Sequence, residues 1–308
     1  KLAKTKWHFF HRRFRTPFYQ FLMLEGLVKH YNKNVKFAYE LNDFLYLDKQ
    51  LIPAECFVEL GEKVKEQLEK DDRFLLDHFE YFYNFNNEIK NYCRELEKKD
   101  WENVSKKQII EYFKKYIDLS LEFGACVLIV LSVEKYLDER LKTILGDNPT
   151  AYQCLTTPIK SSAVQDEEIS LLEMGMKIEN GLDVSDELDH HLEKYSWLKN
   201  NSFDGEFYSK EEVLERAKKI ENPRKSLDDY KEKIEKQKRE FERWFSTIND
   251  KKTKILVETI QESIFFRSWR TERYYRNAYY LQGFFKALAN FCGLEEMRDI
   301  FYLSHEEI

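Results

Sequence analysis

Arg267, Arg270, Arg273 and Arg276 recur every three residues along one stretch of the chain, interleaved with Phe266, Trp269, Tyr275 and Tyr279. Guanidinium forks grip carboxylates and phosphates through paired N–H bonds, and neighbouring rings supply an apolar wall. The combination suits a small anionic or amphipathic ligand. A second feature sharpens it. Val257, Ile260, Ile264, Arg267, Thr271, Tyr274, Ala278, Leu281, Phe285 and Leu288 step by threes and fours, the spacing of one helix face. That face should point to the core, and it carries Arg267 and Thr271 where apolar residues belong. A buried guanidinium must meet a carboxylate, carbonyls or a ligand. A structural ion pair in an aromatic bundle is the commoner outcome, and an anion site is the sharper reading.

Other groups carry less. His190 and His191 are adjacent, so on a helix they face different ways and cannot chelate one metal at the usual spacing, and HExxH is absent. No GxxxxGK[ST], GxGxxG or GxSxG occurs, and no pair of carboxylates stands out as an acid/base couple. No catalytic residue and no metal ligand is assigned. Asn86 interrupts the seam Leu75, Phe79, Phe82, Ile89, Cys93, Leu96, where a lone buried amide usually fixes helix register.

The elements that must position these groups are helical. Only 9 Gly and 5 Pro punctuate 308 residues, which argues against all-β and Rossmann architectures. Charged residues make up 34% and aromatics 16%, the composition of solvated helix faces over ring-filled packing. The expected fold is all-α, an elongated multi-helix domain with one small β-hairpin near residues 36–47, where Phe37, Tyr39 and Leu41 alternate before Asn42-Asp43. Two subdomains are expected. Residues 1–148 end at Gly146-Asp147-Asn148-Pro149, and 149–308 are built on one long helix over 254–291 that Gly293 stops. Ser105 with Gln108 and Ser209 with Glu212 read as capping boxes, Ser185 reads as a further cap, and Gly124 reads as a helix break.

Net charge is −6, which argues against a general nucleic-acid binder. The basic, ring-rich start Lys1 to Thr16 reads as a basic helix start lying on the domain, with nucleic-acid contact ranked last. Five cysteines stand far apart without CxxC, as suits a reducing cytoplasm. The run Ala125 to Leu131 is too short to span a bilayer.

Three segments together resemble a known family. They are Leu155-Thr156-Thr157-Pro158 with Ser161-Ser162 and Glu167 to Leu172, then His190 to Leu198, then Asp299-Ile300-Phe301-Tyr302-Leu303-Ser304-His305-Glu306-Glu307-Ile308. They look like the helical domain of phosphoenolpyruvate-utilising enzymes, the group of phosphoenolpyruvate synthase-like proteins and rifampicin phosphotransferase. The resemblance implies a transferase in which an ATP-grasp domain phosphorylates a histidine on a mobile domain. This chain shows neither part, so it is expected to be a piece of something longer, a substrate-binding or linker domain that is not catalytic alone. ATP and Mg are then expected only on the missing domains, and the partners are other domains of the same enzyme. The resemblance also implies an apolar acceptor pocket. The helix with His191, Tyr195 and Trp197 and the helix with Trp269 and Tyr274 would wall it, and Arg267, Arg270 and Arg273 would orient an anionic group. The alternative is a standalone helical protein-interaction scaffold using the charged helix Ser226 to Ile248.

Overall fold

A computed structural model of the chain describes residues 7–11, 17–31, 45–46, 50–199 and 206–308. The fold is all-α, with one small sheet. The helices are α1 (Pro17–His30), α2 (Ala54–Lys70), α3 (Phe74–Glu97), α4 (Lys106–Gly124), α5 (Ile129–Leu145), α6 (Pro149–Thr156), α7 (Ala163–Glu179), α8 (Ser185–Tyr195), α9 (Lys210–Lys218), α10 (Pro223–Thr247), α11 (Lys251–Tyr280) and α12 (Gln282–Phe291). Strands β1 (Trp7–His11), β2 (Leu45–Tyr46) and β3 (Gln50–Pro53) form an antiparallel sheet in the order β1-β3-β2. The hairpin expected over 36–47 thus contributes Leu45 and Tyr46, and its remaining residues lie outside those described. Over Trp7–His11 the expected basic helix start is a strand, in keeping with the β preference of a Trp-His-Phe-Phe run.

Contacts divide the chain into two compact units, Lys1–Arg140 with Tyr280–Ile308, and Leu141–Tyr279. This differs from the expected division at 148. The first boundary falls eight residues earlier, inside α5, and the C-terminal segment belongs to the first unit. The reason is aromatic packing. Phe285 meets Phe301 edge-on at 4.8 Å, and Phe301 lies 6.2 Å from Phe18, which stacks on Phe113 and Tyr116.

In the first unit the α3 seam behaves as its spacing demands. Leu75, Phe79, Phe82, Asn86, Ile89, Cys93 and Leu96 are all buried. Helix α1 runs so close to α4 that a Cβ on Gly26 would lie 1.9 Å from the Leu121 carbonyl oxygen, so only glycine fits there. The stretch Lys106–Leu145 is apolar enough to cross a membrane by composition, yet 76% of its most apolar window is buried inside the protein.

In the second unit α7, α8 and α9 share a core of Leu171, Met174, Leu188, Val213 and Ala217. The starts of these helices are set locally. Ser162 with Gln165 and Ser209 with Glu212 form complete capping boxes. At α8 the expected cap Ser185 instead donates its hydroxyl to Asp183, whose carboxylate also takes the Ser185 N–H. A cap contributes about 1 kcal/mol and a fully buried aliphatic side chain about 1.5–3 kcal/mol. The caps therefore decide where the helices begin, and the core decides how they lie.

The long rod departs from expectation twice. It breaks at Leu281 into α11 and α12, two residues before Gly283. Glycine is a poor helix interior, and a Cβ at Gly283 would crowd the Trp101 indole at 3.1 Å. The expected stripe is buried at Val257, Ile260, Tyr274, Ala278, Leu281, Phe285 and Leu288 and loses burial only in its middle, from Ile264 to Thr271. Leu256, Thr259, Ser263, Phe266, Arg270, Tyr274 and Asn277 are buried, whereas Arg267 is exposed and Thr271 is half-buried.

Candidate functional site

The second unit's three-helix core brings a set of polar groups together. Glu167 and Ser170 stand one turn apart on α7, beside the core residues Leu171 and Met174. His191 follows Leu188 by one turn on α8, and Arg216 precedes Ala217 on α9. Gly175 lets α7 and α9 close up, since a Cβ there would sit 3.2 Å from the Ala217 carbonyl oxygen.

The resulting geometry is continuous. Ser170 Oγ and His191 Nδ1 are 2.9 Å apart. On the other side of the ring His191 Nε2 lies 3.6 Å from Glu167 Oε1, within ion-pair reach but too long for a hydrogen bond. Arg216 donates to the same Glu167 oxygen at 2.5 Å. His191 is fully buried and the Glu167 side chain is 8% exposed, while Ser170 is half-buried. Burial pushes the Glu167 carboxyl up, but the neighbouring His191 and Arg216 outweigh it and hold the group below its ordinary range. The Arg216 guanidinium also rests 4.5 Å over the Tyr208 ring, so its aim at Glu167 is fixed from both ends.

A second set of bonds ties the loop before α7 to α11. The Gln261 amide donates to the carbonyls of Leu155 at 2.6 Å and Thr157 at 2.9 Å, and its oxygen accepts from Ile159 N–H at 3.3 Å. Lys160 pairs with Glu262. The Glu272 carboxylate takes the Ala163 N–H at 2.9 Å, at the first turn of α7. Burial raises the Glu272 carboxyl above its ordinary range, against the pull of that bond and of Arg273.

The residues singled out from the sequence are sorted by this arrangement. His191 and Tyr195 come together, their rings 5.2 Å apart. Burial raises the Tyr195 phenol, Asp166 adds to the shift, and Arg276 of α11 opposes it. Arg273 lies 5.7 Å from the Trp269 ring, and Trp269 stacks on Phe266 at 5.4 Å. Arg270 and Tyr274 are buried. Arg267 departs from the buried position expected of it. It points to solvent, where the expected stripe loses its burial, while Arg270 is enclosed. Trp197 is buried with its indole N–H bonded to the Lys194 carbonyl at 2.6 Å.

Sequence reasoning missed Ser170, Glu167 and Arg216. A signal existed for the first two, since both lie in the Glu167 to Leu172 segment, but their partner on α8 is set by tertiary packing. Comparison of the chain with family models, with curated proteins and with solved structures finds no match.

Proposed function

We propose that the chain is a helical substrate-binding or linker domain of a phosphoenolpyruvate synthase-like phosphotransferase. One observation carries the reading. Two of the three segments that resemble that family, 155–172 and 190–198, meet at a single polar cluster through the Ser170–His191 bond and the Glu167–His191 pair. The first of them is also fastened to the arginine-bearing α11 by Gln261 and Glu272. Segments that share a ligand or a moving partner are expected to converge in space, and these do so across the turn that joins α7 to α8. ATP and Mg chemistry falls to other domains of the same enzyme. The acceptor is a small anionic or amphipathic molecule, oriented by Arg270 and Arg273 beside Trp269, Tyr274 and Tyr195.

The reading frame that encodes the chain tests this directly. An ATP-grasp domain and a histidine-bearing mobile domain in the same or an adjoining frame support it, and a frame with neither overturns it. The ligand side is tested by titrating the chain with the amphipathic anion anilinonaphthalene sulfonate. Saturable binding that Arg273→Ala weakens about tenfold, at unchanged melting temperature, is the expected result. Binding indifferent to that substitution removes the arginine's role.

A further inference from the structure

We propose that Ser170 is a base-activated nucleophile, with His191 as its base and Glu167 as the group that stabilises the charged base. This stands on the geometry of the cluster and not on the phosphotransferase reading.

Hydroxyls inside helices usually bond back to their own backbone. This chain shows the habit at Thr259, which donates to the Ile255 carbonyl at 2.7 Å, and at Ser263, which donates to Thr259 at 2.7 Å. Thr156 does the same to Tyr152 at 2.8 Å. Ser170 departs from it. Its oxygen meets a ring nitrogen on another helix, 21 residues along the chain, at 2.9 Å. With the serine proton aimed at Nδ1, the remaining ring hydrogen sits on Nε2 and faces Glu167. A hydroxyl, an imidazole and a carboxylate in that order are the parts of a serine nucleophile, recognised by roles rather than by position or by which ring nitrogen serves.

Burial sharpens the roles. His191 is fully enclosed, so a positive charge on it must be balanced from within, and Glu167 is the carboxylate in reach. Arg216 holds Glu167 in place at 2.5 Å. Ser170 itself is half-buried, so a reagent can reach the one member of the set that must be reached. The substrate class is an electrophile with a good leaving group, and a fluorophosphonate is its simplest probe. In that step the Oγ–phosphorus bond forms and the phosphorus–fluorine bond breaks. The hydroxyl proton passes to His191 Nδ1, and fluoride leaves to water.

The experiment is covalent labelling of the folded chain with an alkyl fluorophosphonate, read by intact mass and peptide mapping. One adduct on Ser170 is expected, absent in Ser170→Ala and absent when the wild-type chain is unfolded in urea. Positioned general-base help contributes on the order of 10²–10⁴-fold, so His191→Gln should label at least about 10²-fold more slowly. Glu167→Gln should lie between the two. Circular dichroism of each variant separates lost activation from lost fold. If His191→Gln does not fold, the contrast between native wild type, unfolded wild type and Ser170→Ala still decides. No adduct on the native chain, equal labelling of the unfolded chain, or undiminished labelling of Ser170→Ala would each overturn the proposal.

Discussion

His78 in the first unit and His191 in the second are both buried, but one is packed among rings and the other among charges. His78 stacks on Tyr31 and Phe74, meets His30 and Phe82 edge-on, and shares a 3.1 Å hydrogen bond with the Tyr31 hydroxyl. Its neighbour His30 takes the carboxylate of that region, with Nδ1 2.6 Å from Glu122 Oε1, and the Tyr81 hydroxyl donates to the same oxygen at 2.5 Å. His191 has one ring contact, to Tyr195, and its two nitrogens face Ser170 and Glu167. A ring-lined histidine is forced to stay neutral and serves packing. His191 instead has a hydroxyl at one ring nitrogen and a carboxylate near the other. The same side chain thus serves packing in one unit and, in the proposed role, chemistry in the other.

The sharpest way to break this contrast is to remove the rings. Phe82 is fully buried and touches His30, His78, Tyr81 and Phe123. Phe82→Ala should cost about 3–5 kcal/mol, read as a lower midpoint in urea. A loss under about 1 kcal/mol would mean that the rings do not carry the first unit.

The second test uses acid. Burial, aided by His30, lowers the His78 imidazole from 6.5 to about 3. The unfolded chain therefore binds a proton that the folded chain refuses throughout that window. Stability is fully present above about 6.5 and is lost as pH falls towards 3, at about 1.4 kcal/mol per pH unit. Between pH 6.5 and 5 the loss is about 2 kcal/mol. His78→Phe should flatten this part of a stability-against-pH curve measured by urea unfolding. An unchanged slope would assign the acid sensitivity to other groups. Glu167 answers the same question in the carboxylate range. Its folded value is depressed, so the stability it contributes is present at neutral pH and lost only at lower pH, as the carboxylate takes up its proton.

The sequence makes some of this legible and hides the rest for identifiable reasons. The α3 seam is readable because one face is apolar and the others are not, and each of its seven named positions is buried. The capping boxes at Ser105 and Ser209 are readable because they are local, with both partners within three residues. The buried side of α11 is readable only in part. Val257-Ile260-Ile264 and Leu256-Thr259-Ser263 both satisfy helical spacing, and the helix is buried on more than one side. Periodicity then finds the stripe but does not show that its neighbours are buried too, and so it does not place Arg267 in solvent or Arg270 inside. His191 drew notice by type alone, but Ser170, Glu167 and Arg216 reach it from two other helices. No local rule joins positions 21, 24 and 25 residues away.

A third test addresses the polar unit through Gln261, which satisfies one backbone carbonyl at the end of α6 and two backbone groups of the loop before α7. Gln261→Ala leaves those groups to water or unpaired, at about 1–3 kcal/mol. The signature should be local. Proteolysis within residues 157–162 should accelerate before any change in helical circular dichroism. Cleavage as slow as in the wild type would show that the loop is held by its other contacts to α11, those of Glu262 and Glu272.

The smallest effect is expected from Asn86, and it carries the opposite sign. Asn86 lies in the ring-lined unit, buried on the α3 seam between Phe82 and Ile89, and its Oδ1 has no hydrogen-bond partner among the described residues. A buried acceptor left unpaired costs free energy, and an apolar side chain of similar size removes that cost. Asn86→Leu should therefore raise the urea midpoint, by an amount worth about 1 kcal/mol or less. A buried amide that instead fixes the register of its helix would reveal itself differently. The variant would then hold or gain stability yet lose the narrow unfolding transition and the sharp amide spectrum of a single packing. Destabilisation by more than about 1 kcal/mol would mean that Oδ1 is satisfied in solution. The first unit would then depend, like the second, on a polar contact at its centre, and the contrast between the two would narrow to their histidines.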